Sequence, residues 1–85
     1  MTKQEFLSGQ PFRIEDGKNI FRYSEKDVGE LYQLINHEWR FASVVKEINF
    51  EKGLIRTTGI NTGKSGITVI MFSKMIKVIN KINQP

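Results

Sequence analysis

The chain has 85 residues, no cysteine and a formal net charge of +4. That length supports one core rather than two, the lack of cysteine excludes disulfide staples and thiolate chemistry and fits a reducing compartment, and the longest strictly apolar run, residues 69–72, is too short to span a membrane. The opening Met1-Thr2-Lys3-Gln4-Glu5 lacks the apolar stretch of a signal peptide, so the expectation is a single cytoplasmic domain over residues 1–85.

Thr2 and Glu5 have capping-box spacing, and Gly9 is a favoured helix stop, so residues 3–8 read as one or two helical turns. Residues 10–15 form a short strand with Phe12 and Ile14 on one face. Asp16-Gly17 is a hairpin signal, and residues 19–24 return with Phe21 and Tyr23 on one face. Residues 28–36 fit two patterns. Val28, Leu31, Tyr32 and Ile35 have helical spacing, but Gly29 inside such a helix costs about 1 kcal/mol against alanine, which favours a strand over 31–35.

Residues 39–50 read as a long strand. Trp39, Phe41 and Val45 share one parity, whereas Val44, Ile48 and Phe50 share the other, so a bulge is expected near 43–45. Glu51-Lys52-Gly53 closes a hairpin onto a return strand over 54–59. A glycine-rich loop follows over 59–66. Residues 67–72 are apolar at both parities and are expected to form the most buried strand. In the tail, 73–83, Met75, Val78, Ile79 and Ile82 fit a helical face, while the β-branched content favours a strand over 75–79. The fold class expected is α+β and mostly β: a short N-terminal helix on a curved antiparallel sheet or small β-barrel.

The segment Thr58-Gly59-Ile60-Asn61-Thr62-Gly63-Lys64-Ser65 is close to a phosphate-binding loop, but threonine stands where the first glycine is required. The segment after Ser65 reads as extended, whereas such a loop must open a helix. Nucleotide hydrolysis is therefore not expected, although glycines and Lys64 could still form an anion-binding nest. His37 is the sole histidine and reads as an exposed turn residue. The carboxylates show no metal-loop spacing. No enzyme activity, metal or cofactor is expected.

Charge is segregated along the chain. Residues 1–51 hold seven Lys and Arg against nine acids, a balance of −2, and residues 52–85 hold six bases and no acid. The leading expectation is a non-catalytic small binding protein whose basic C-terminal half, through Arg56, Lys64, Lys74, Lys77 and Lys81, contacts a polyanion, most simply nucleic acid. Lysines that merely protect a sheet edge would look the same. Tyr23, Tyr32 and Trp39 carry polar handles on large rings and are the candidates for base stacking or a protein interface. The alternative is a protein-binding inhibitor or adaptor that uses an acidic N-terminal face and an exposed aromatic patch. The third reading is capture of a nucleotide or other small ligand by the 59–66 loop. Self-association is compatible with each.

Residues 2–12, Thr-Lys-Gln-Glu-Phe-Leu-Ser-Gly-Gln-Pro-Phe, with Phe21-Arg22-Tyr23-Ser24 and the short strands after them, resemble small uncharacterised proteins encoded by bacteriophages and prophages of Bacteroidota. The resemblance covers about a quarter of the chain and transfers no site residue. It implies a phage accessory protein, working in the host cytoplasm on nucleic acid or a host defence factor.

Overall fold

The computed structural model describes residues 1–25, 29–59 and 66–79. One short helix, α1 (Lys3–Leu7), precedes seven strands: β1 (Phe12–Ile14), β2 (Ile20–Glu25), β3 (Gly29–Ile35), β4 (Glu38–Asn49), β5 (Leu54–Thr58), β6 (Ile67–Met71) and β7 (Met75–Lys77). They form one antiparallel sheet in the order β6-β5-β4-β3-β2-β1-β7, curled into a half-barrel. The expected α+β, mostly β class is therefore the observed one.

The curl follows from connectivity. β6 and β7 occupy opposite ends of the strand order, yet only the 3₁₀ turn Phe72–Lys74 joins them. The sheet must bring its two ends together at that corner. β4 supplies much of the bend because two register shifts each insert an extra residue, Ala42 against β3 and Lys46 against β5. The sequence placed one shift at 43–45; the structure has two, just outside that span. As a result Trp39 and Phe41 face outward while Val45, of the same parity, packs against the core. Where the ladder is interrupted, the Val44 N–H is satisfied by the Thr58 hydroxyl at 3.1 Å.

The helix is short enough to depend on its ends. Thr2 and Glu5 form the reciprocal capping box, and Gly9, at φ +88°, closes the C-terminus. There Gly9 N–H donates to Phe6 C=O and Gln10 N–H to Glu5 C=O, the pattern of a Schellman stop. This holds Phe6 over the open side of the half-barrel. Its ring stacks on Tyr23 at 4.7 Å and meets Phe72 edge-on at 5.4 Å. Phe12, Phe21, Leu31, Ile55, Ile70 and Met75 complete the buried core.

The ambiguity at 28–36 resolves to a strand over Gly29–Ile35, with residue 28 outside those described. A Cβ on Gly29 would lie 2.7 Å from the Tyr23 hydroxyl and 2.8 Å from its ring, so the Tyr23 side chain occupies the space that any larger residue would need. Residues 75–77 are likewise a strand; residues 80–83 of the ambiguous tail lie outside those described.

One expectation about burial is reversed. Residues 67–71 form an edge strand rather than the most buried one, and only Ile70 of β6 is buried. Apolar residues at both parities mean here that both the inner and the outer faces of an edge are apolar, with Ile67, Val69 and Met71 on the solvent side. Among the described residues, no helix is long and apolar enough to cross a membrane.

Candidate interaction site

Three of the five basic residues expected to form an anion-binding face, Arg56, Lys74 and Lys77, are paired with carboxylates. Lys77 Nζ lies 2.6 Å from the Glu5 carboxylate, Lys74 Nζ 2.8 Å from that of Glu15, and Arg56 Nε 3.1 Å from that of Glu47. Strand β7 pairs with β1, so the C-terminal lysines are returned to the acid-rich N-terminal segment. Three of the six bases of residues 52–85 are thus paired with acids of the N-terminal part. The pairing also holds Glu5 at a pKa of about 2, chiefly through its bond to Lys77 and then through the Thr2 N–H. Glu15 is likewise lowered and Lys74 raised by their mutual bond. Lys64, Lys81 and residues 60–65 of the glycine-rich loop lie outside the described residues. The strand that begins at Ile67 gives that loop no helix N-terminus.

The aromatic candidates separate. Tyr23 is in the core, at 5 % exposure, and is not presented to a partner; burial raises its pKa, with Glu25 adding to the shift. Its parity in β2 should have indicated this, because Tyr23 and Phe21 point the same way and Phe21 is core.

Tyr32 and Trp39 lie on the opposite, outward face, where β2, β3 and β4 run side by side. Arg22 is directly across from Tyr32 on β2, and Phe41 is across from it on β4. The Arg22 guanidinium sits 4.9 Å from the Trp39 ring centroid and 6.0 Å from that of Tyr32. Tyr32 meets Phe41 edge-to-face at 6.3 Å, and Phe41 itself is 55 % exposed. The Tyr32 hydroxyl donates to Glu30, and Arg40 pairs with Glu38 at the rim. The Asn36-His37 turn, with both residues at positive φ, is the two-residue hairpin connection that sets Trp39 across from Leu34.

Arg22 differs from the bases described above. No carboxylate among the described residues lies within ion-pair distance, and its Nε is buried without a hydrogen-bond partner. Arg22 and Phe41 were not among the residues singled out by sequence, although the runs Arg22-Tyr23 and Trp39-Arg40-Phe41 held the signal. What was missing was the register that brings them together. Among the described residues no three His, Asp or Glu side chains converge as a metal site would require.

Comparison with known proteins gives no relatives: no family model matches the chain, and no curated protein or solved structure matches it either.

Proposed function

We propose that this chain is a non-catalytic protein-recognition domain that engages its partner through the outward face of β2, β3 and β4, with Arg22, Tyr32, Trp39 and Phe41 as the contact residues. The observation that carries the reading is Arg22, held against Trp39 with no ion-pair partner among the described residues, beside an exposed Phe41. Tryptophan, tyrosine and arginine dominate the energetics of protein interfaces. A partner carboxylate set among apolar groups would pair with the guanidinium and cover the rings. The borders of the patch favour protein over nucleic acid. Glu30 flanks it and would repel phosphate, Glu38 is offset by Arg40, and Arg56, Lys74 and Lys77 are already paired with acids. A small phage-encoded protein that occupies a host factor in the cytoplasm is the setting this reading fits.

The test is affinity capture from host lysate with three baits: wild type, Phe41→Ser with Arg22→Gln, and Lys74→Gln with Lys77→Gln. The expected result is a defined protein, retained after nuclease treatment, lost with the first variant and kept with the second. Capture that nuclease abolishes, or that follows the lysines instead, would establish the polyanion reading in its place.

A further inference from the structure

The two edges of the sheet are protected to different degrees. At the β7 edge the strand is three residues long, Lys77 is tied to α1 through Glu5, and Met75 is buried. These are ordinary ways of blocking edge-to-edge pairing. β6 is longer, at five residues, and residues 66–73 contain no charge and no proline.

The direction of the free backbone groups on β6 can be read from one bond. Phe72 N–H donates to Gly53 C=O at 2.9 Å, and the β5–β6 register continues without a shift through Ile70 opposite Ile55 and Thr68 opposite Thr57. Residues 68, 70 and 72 therefore direct their backbone groups to β5. By the alternation of antiparallel ladders, Ile67, Val69 and Met71 direct their N–H and C=O groups to the open edge. The same three residues expose their side chains, at 56, 47 and 44 %.

We propose that β6 pairs antiparallel with β6 of a second copy of this chain about a two-fold axis at Val69. In that register Val69 faces Val69 of the other copy, and Ile67 faces its Met71. Every residue with free backbone groups then meets another with free groups, so each opposed pair forms both of its hydrogen bonds. A one-residue slip would set free groups against occupied ones. Charge on the strand itself does not oppose a like strand, because residues 66–73 are uncharged. Two chains of net charge +4 repel, so a self-contact must be locally neutral. Arg56, opposite Val69 on β5, is offset by Glu47. The contact also covers the apolar row Ile67, Val69 and Met71 on each copy, and it leaves the Trp39 face free.

Sedimentation velocity of the full chain over a range of concentrations tests this, with Val69→Lys and Val69→Pro as variants. Lysine places like charges on the axis. Proline removes an N–H that points away from β5 and so breaks no internal bond. Wild type is expected to be dimeric at concentrations where both variants are monomers with an unchanged circular dichroism spectrum. The chain has no native cysteine, so Val69→Cys gives a single thiol near its symmetry mate, at a Cα separation of about 5.5 Å that a disulfide can bridge. It should cross-link under mild oxidation much faster than Ile76→Cys on the outer face of β7. A monomeric wild type at every concentration, a dimer that survives both Val69 variants, or equal cross-linking from position 76 would overturn the proposal.

Discussion

The carboxylate of Glu5 and the ammonium of Lys77, 72 residues apart in the chain, form an ion pair of 2.6 Å that joins α1 to the last strand. Glu5 is also the third helical residue of the capping box, so one side chain closes the helix N-terminus and pins β7. The half-barrel thus uses charges from its two ends to fasten its own edge instead of displaying them.

This pairing fixes the direction of the acid response. The pKa of Glu5 falls from 4.5 to about 2 on folding, and that of Glu15 also falls. A carboxylate whose folded pKa is depressed stabilises the fold above its unfolded pKa, and that contribution is lost as pH drops through the folded value. Urea midpoints should therefore be level near neutrality and decline from about pH 4.5 downward. Glu5→Gln should flatten that decline. Lys74, whose pKa is raised, works in the opposite sense: its contribution is complete below 10.5 and is lost as pH rises through the elevated value. Equal acid slopes for wild type and Glu5→Gln would show that the pair does not form in solution.

Gly29 and Tyr23 should be energetically coupled. An added methyl at 29 meets the Tyr23 ring and hydroxyl, and the ring cannot withdraw without leaving its stack on Phe6. Gly29→Ala is expected to lower stability by about 1–3 kcal/mol, the usual cost of overpacking. In a Tyr23→Leu background the same change should cost much less, and a double-mutant cycle from denaturant melts measures the difference.

Two positions hold local cost that substitution should relieve. His37 adopts φ +67° in the turn after Asn36, a conformation that glycine takes freely. His37→Gly should raise stability by about 0.5–1 kcal/mol, the gain in the turn exceeding the entropy lost. Ser43 is buried beside the first bulge with no partner for its hydroxyl among the described residues. Ser43→Ala should gain about 1 kcal/mol by removing an unsatisfied polar group. Thermal melts of the two single variants check both, and a loss of stability in either would show that the side chain has a role in the fold.

The succession of elements along the chain was legible where local signals agreed, which they did outside residues 28–36 and 73–83. Capping residues, turn glycines and alternation each pointed to the same elements, and the observed strands lie within two or three residues of those expected. What sequence could not show was anything that depends on which strands meet. The return of β7 to β1 places Lys74 and Lys77 beside acids some sixty or seventy residues away, pairings that linear charge does not show. The extra residue at Ala42 turned Phe41 outward toward Tyr32, and no count of parity could distinguish that from burial. The apolar run at 67–72 reads as the most buried strand because a dry edge and a dry interior have the same composition.

Contact between the Arg22–Trp39–Phe41 surface and a partner protein can be tested in place. A photoreactive phenylalanine analogue placed at Phe41, with one at Arg13 on the outer face of β1 as the control, reads that contact directly in host lysate. The account predicts an adduct from position 41 that protease removes and nuclease does not, and none from position 13. Adducts that nuclease removes, or equal yields from the two positions, would contradict it.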